Sequence, residues 1–184
     1  MKEQGRYRRN ITGEQLAAFL ETVREGGAGL DALQFLCIGT DRSSGDALGP
    51  LVGTLLREAG YPHVIGTLQS PCDSSNIGQR LQELGEGRTV IAIDACLGQA
   101  SSIGMFQISN QPIEPGKSVG KKLPPVGDYS IAAIVNQEGA RTYSILQHTP
   151  LGRVWDMAHA ITGAVRMVFP LDRGEIGLKP DVEG

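Results

Sequence analysis

The chain has 184 residues, 40% of them apolar and 20% charged, with a net charge of −3 and an isoelectric point near 5.6. That length suits one domain with a sizeable core, and the composition excludes a collagen, a coiled coil or a disordered chain. The weak negative charge gives no field to hold nucleic acid, no apolar run approaches the ~20 residues of a membrane helix, and the polar start MKEQGRYRRN lacks the apolar core of a signal peptide.

That polar start leads into a predicted helix. Thr12 and Gln15 form a capping box, and Leu16, Phe19, Leu20 and Val23 share one face. Glycines 26, 27 and 29 end it. The run LQFLCIG, Leu33 to Gly39, reads as a strand covered on both faces. A polar loop from Gly39 to Gly49 follows, and Pro50 suits the first position of a helix with Leu51, Val52, Leu55 and Leu56 inward. A second strand is expected over Val64 to Leu68. Asp73, Ser74, Ser75 and Asn76 then offer caps for a helix carrying Ile77, Leu81 and Leu84.

Thr89 to Ile93 reads as a third apolar strand and Ile103 to Ile108 as a fourth. Residues 110–127, rich in proline, glycine and lysine, form a long loop or flap expected to border the substrate cleft. Residues 128–136 fit either a helix capped by Asp128 or a strand. Arg141 to Leu146 is read as a last strand. Thr149-Pro150 opens a final helix bearing Leu151, Val154, Ala158, Ile161 and Val165. A single domain over 1–168 is expected, with a loose tail over 169–184.

Strands alternating with helices predict an α/β fold: a three-layer α/β/α sandwich on a mainly parallel sheet of five or more strands. In such sheets the ligand site lies beyond the carboxyl ends of the strands. Two loops there carry acids, one with Asp41 and Asp46, the other beginning at Asp94. A carboxylate ending a buried strand is costly unless it is paired or faces a solvated cleft. Capping or helix-dipole roles are the plain alternatives. Two carboxylates held close cannot both ionise easily, so one stays protonated while the other activates water. The same pair also suits a hard divalent ion. Asp41, Asp128 and His148 are further candidate cleft residues. The three cysteines, Cys37, Cys72 and Cys96, form no CxxC signature and suggest a reduced, cytoplasmic compartment. A nucleophilic Cys96–His148 pair is conceivable, though nothing local activates the thiol.

GTDRSSGDALGP and VIAIDACLG resemble the two signature segments of the spore germination protease group. LQSPCDSSNI, KLPPVGDYSIAAIVN and LQHTPLGRVWDMA are similar to its short sporulation branch, the YyaC-type proteins. Hydrogenase maturation endopeptidases share the glycine–acid loop more distantly. The resemblance covers roughly residues 30–168. It implies a phosphorylase/hydrolase-like fold and an atypical aspartic-type peptidase whose catalytic acids map onto Asp46 and Asp94. It further implies a protein or peptide substrate in the cytoplasm of a sporulating bacterium. No cofactor or resident metal is expected. Where the maturation branch places a metal-contacting histidine, this chain has Val126-Gly127-Asp128. Homo-oligomerisation is compatible with the sequence. Two rival readings stay open: a non-catalytic sporulation module that keeps the fold for binding, and a metal-dependent maturation-type endopeptidase.

Overall fold

The structure, a computed structural model, describes residues 5–115 and 125–171. Its centre is a six-stranded sheet built from β1 (Arg8–Ile11), β2 (Leu33–Cys37), β3 (Val64–Ile65), β4 (Thr89–Gly98), β5 (Phe106–Ser109) and β6 (Tyr129–Gln137). The order across the sheet is β1-β5-β6-β4-β2-β3. The run from β6 through β4 and β2 to β3 is parallel, while β1 and β5 add an antiparallel flank.

One face of the sheet is thickly covered. Helices α1 (Leu16–Glu25), α2 (Leu48–Glu58) and α5 (Leu151–Val168) pack there on Leu33, Phe35 and Cys37 of β2, Ile91, Ile93 and Ala95 of β4, and Ile131, Ala133 and Val135 of β6. These strand residues alternate along the chain, as the two-residue period of a strand demands. The other face carries a thinner layer. The four-residue α3 (Ile77–Arg80) and the turn after it cover Leu36, Ile38, Val90 and Ala92. Together these layers make the expected α/β/α sandwich, with its second outer layer incomplete.

Several expectations change. The polar start is not merely a lead-in to α1: Arg8–Ile11 pairs antiparallel with β5 as an edge strand, with only Ile11 buried. The segment 129–137 is a strand rather than a helix, and it sits between β4 and β5. The predicted strand over 141–146 is a helix, α4 (Thr142–Gln147). Thr142, Tyr143 and Ile145 favour strands intrinsically, but that preference is readily overridden by tertiary context. The core also runs past residue 168. Phe169 is buried and the Tyr61 hydroxyl donates to its carbonyl at 2.8 Å, whereas residues 172–184 of the predicted tail lie outside the described residues.

Candidate active site

Strand β4 continues five residues beyond Ile93, so Asp94 lies within a strand and not at its end. Asp94 pairs with Ala132 of β6 on one side. On the other, the Ile38 N–H donates to the Ile93 carbonyl at 2.7 Å, so Asp94 is level with the point where β2 gives way to its loop. Alternation turns Asp94 to the same face as Val90 and Ala92, away from the helical layer of α1, α2 and α5.

Beyond the cover of α3, this face opens into a cleft of about 680 Å³. Its floor is made of side chains from four strands: Asp94 and Cys96, Ser130 and Ala132, Gln107, and Arg8 and Asn10. Ile113 and Glu114, from the start of the predicted flap, form part of its rim. Ile113 and Val126 bridge the two arms of that flap by reciprocal 2.9 Å backbone hydrogen bonds; residues 116–124 between them lie outside the described residues.

The Asp46 loop turns back sharply on itself. Thr40 N–H donates to the Asp46 carbonyl at 3.1 Å, and Gly39 takes φ +144°. A Cβ at Gly39 would fall 2.0 Å from the Asp46 carbonyl oxygen, so only glycine allows this return. The loop is anchored on two sides. Gly45 N–H donates to Leu146 O, and the Ser44 hydroxyl reaches carbonyls of Leu146, Gln147 and Thr149, the shortest at 2.7 Å. Arg42 reaches across to Asp73 at 2.6 Å. Partial burial would raise Asp73, but the Ser75 hydroxyl and N–H together with Arg42 outweigh it and hold the carboxyl below its ordinary range.

The two candidate acids are electrostatically unequal. Burial pushes Asp94 up to about 8; the Ala95 N–H, donating to its Oδ1 at 2.8 Å, opposes the rise and the negative charge of Asp46 adds to it. Asp46 is also raised by burial, with the Ser43 hydroxyl pulling the other way. That hydroxyl is buried and has no hydrogen-bond partner of good geometry. Asp94 therefore holds its proton up to about 8, burial being the main cause and the negative charge of Asp46 a lesser one. Asp94 lines the cleft; Asp46 is not among its lining residues, though it is near enough for its charge to be felt.

The remaining candidates part company with this pair. Asp41 is exposed in the turn after β2. Asp128 stands just before β6, level with Val90, whose N–H its Oδ2 accepts at 2.8 Å and to whose carbonyl its own N–H donates; it ties β6 to β4 and is not among the cleft-lining residues. His148 closes α4, with Nδ1 2.7 Å from Ser144 O, and lies in a separate shallow groove with Asn136 and Ser144. It is therefore no partner for Cys96, whose thiol is pushed up to about 12 by burial and then by Asp94. That is the reverse of nucleophile activation. Among the described residues no group of three or more His, Cys, Asp or Glu side chains converges as a resident metal would require.

The polar floor supplied by Asn10 and Gln107 was not legible in the sequence, because the polar start gives no sign of the strand β1 that pairs with β5. Asp73, too, reads there only as a helix cap. The available signal was the clustering of capping residues at 73–76, more than a four-residue helix needs.

The fold is shared with a solved protease. The [NiFe] hydrogenase maturation protease HycI of Thermococcus kodakarensis superposes with a TM-score of 0.54, covering 82% of this chain and 97% of that one at 20% identity. At that identity the likeness establishes the fold. The chain itself belongs to the DUF1256 family, proteins of unknown function, whose model matches residues 7–164. It is 46% identical over 131 residues to the uncharacterized protein YyaC of Bacillus subtilis. That match takes in 68% of this chain and spans about 64% of the length of the relative.

Proposed function

We propose that the chain is an atypical aspartic-type endopeptidase of the germination-protease kind, acting on a protein or peptide during sporulation in the bacterial cytoplasm. The observation that carries this reading is the inequality of the two acids. A carboxylic acid that burial holds protonated up to about 8 faces an open cleft, with a second carboxyl nearby whose charge adds to the rise. Environments that push two carboxyl groups apart assign the acid and the base. Asp46, as the carboxylate, takes a proton from water. The hydroxide so formed adds to the peptide carbonyl carbon while Asp94 gives its proton to the carbonyl oxygen. When the tetrahedral adduct collapses, the C–N bond breaks and the leaving amine takes the proton held by Asp46. The hydroxyl proton of the adduct returns to Asp94, and the pair is restored. Because the two carboxyls are coupled, a pH–rate profile would report values belonging to the pair.

One observation favours the rival reading, a binding module. Asp46 is not among the cleft-lining residues, and one Asp94 oxygen is already engaged by the Ala95 N–H. The deciding experiment is incubation of spore-extract proteins with the native chain beside Asp94→Asn and Asp46→Asn chains. A protein lost only with the native chain supports peptidase action. An extract left intact by the native chain, with proteins retained on it equally by native and substituted chains, supports the module.

A further inference from the structure

The registers of the strand pairs set four cleft residues in one row across the sheet. Asp94 of β4 is opposite Ala132 of β6, Ala132 is opposite Gln107 of β5, and Gln107 is opposite Asn10 of β1. Residues opposite one another share a face, and all four line the cleft. Ala132 has the smallest side chain of the row. Adjacent strands lie about 4.8 Å apart, so Asp94 and Gln107 rise on either side of Ala132 with their backbones about 10 Å apart. That is the separation of the two neighbours of any central strand. One extended chain fills it when it hydrogen-bonds on both sides.

The cleft is elongated along the same strand. Ser130, Ala132 and Ile134 of β6 and Glu138 just beyond it all line it. At about 3.3 Å per residue, the step from Ser130 to Glu138 spans about 26 Å, room for about eight extended residues. In a trans peptide unit the carbonyl and the N–H point in opposite directions. Gln107 is prepared for one of those groups. Its Nε2 donates a long hydrogen bond to Asn10 Oδ1 at 3.4 Å, and Asn10 Nδ2 donates another to Ser102 Oγ at 3.4 Å. The amide nitrogen of Gln107 is thus turned toward β1. Its carbonyl oxygen accepts from no donor among the described residues and keeps both lone pairs for a ligand.

We propose that Gln107 is a substrate-binding residue: an extended peptide lies along β6 over Ser130 and Ala132, one carbonyl toward Asp94 and the N–H of the same peptide unit donating to Gln107 Oε1. Asn10 acts through Gln107 as a positioning residue. The ligand is therefore an unfolded segment with a secondary amide at this point, and a unit without an N–H, such as the bond before a proline, is not held. This inference rests on the peptidase reading of the cleft, yet binding is measured without cleavage, so the two fail separately.

The test is nitrogen–proton NMR of the full chain, native and Asp94→Asn, titrated with a mixture of blocked decapeptides of random sequence. A matching mixture of peptoids, which carry their side chains on nitrogen and so lack backbone N–H groups, is the control. The expected result is a saturable shift of the Gln107 side-chain amide with the peptides and none with the peptoids. Followed at the Ala132 backbone amide, Gln107→Leu should weaken peptide binding roughly tenfold, the loss of about one hydrogen bond. Gln107→Glu keeps an accepting oxygen there and should weaken it less. Asn10→Leu should weaken binding by itself and add nothing to Gln107→Leu. Peptides that bind in this way but are left uncut by the native chain would overturn the peptidase reading and keep this one. Peptides that are cut by the native chain but bind Gln107→Leu as tightly would overturn this one and keep the peptidase reading. Peptoids held as tightly as peptides, or peptides that leave the Gln107 amide unmoved, also overturn the proposal.

Discussion

Strand β4 presents two different surfaces within a few residues. Ile91, Ile93 and Ala95 are sealed under α1, α2 and α5, while Ala92, Asp94 and Cys96 turn to the thinly covered face. The first set holds the molecule together. The second includes an ionisable group that an apolar strand would not otherwise tolerate. A sheet clad equally on both sides would bury Asp94 with no outlet for its proton. Here the cover supplied by α3 stops short, and the strand's far half becomes the floor of a cleft. Division of labour between adjacent residues of one strand follows from the alternation of side chains.

That contrast is broken most sharply by substituting the acids. Asp94→Asn and Asp46→Asn should each lower peptide cleavage by about 10²- to 10⁴-fold, the usual contribution of a positioned acid or base. Circular dichroism should show the fold unchanged. Next in size is the neighbour on the opposite face. Ile93→Ala removes a fully buried side chain and should cost about 2–5 kcal/mol in denaturant unfolding, while any activity measured below the transition is retained. An Ile93→Ala chain as stable as the native one would mean the covered face is not the stabilising one.

A smaller effect comes from pH. The folded chain holds the Asp94 proton up to about pH 8, whereas an unfolded aspartate releases it near pH ~4. Between those values folding takes up a proton, so stability contributed at this site falls as pH rises. Asp94→Asn should thus gain on the native chain as pH climbs from about 4 to about 8, with the difference levelling above. Melting curves across that range check it, and a native chain that loses nothing relative to the variant would contradict the burial argument. Smallest of all, Cys96→Ala should change stability by less than about 1 kcal/mol, because its partly exposed side chain abuts the cleft rather than the core. Chelator should leave cleavage unaltered, measured against a sample restored with divalent metal.

Much of this was legible in the sequence, for identifiable reasons. Strands β2 and β4 announce themselves through nearly continuous apolar runs, because β2 and the first half of β4 are covered on both faces. Asp46 and Asp94 stand out because acids interrupt glycine-rich or apolar surroundings. What was not legible depends on partners distant in sequence. Arg8–Ile11 is too polar to read as a strand until β5 is there to pair with it, and its charges suit an edge. The true length of β4 was hidden because Asp94 and Cys96 look like a strand's end unless the adjoining face is known to be open. Asp128 precedes β6 and is level with Val90 rather than with Asp94, and only the parallel register of β4 and β6 reveals that. The exposed Trp155 gave no sign either: it falls one residue after Val154 of the buried stripe, and an aromatic there reads as core.

The central claim is that Asp94 holds its proton up to about 8 and that Asp46 helps to keep it so. Carboxyl carbon resonances of the aspartates, followed by NMR through a pH titration of the native and Asp46→Asn chains, measure this without any substrate. The account predicts a midpoint for Asp94 near 8 in the native chain and a lower one once the Asp46 charge is removed. A midpoint near the ordinary ~4 of an aspartate, unmoved by Asp46→Asn, would contradict it.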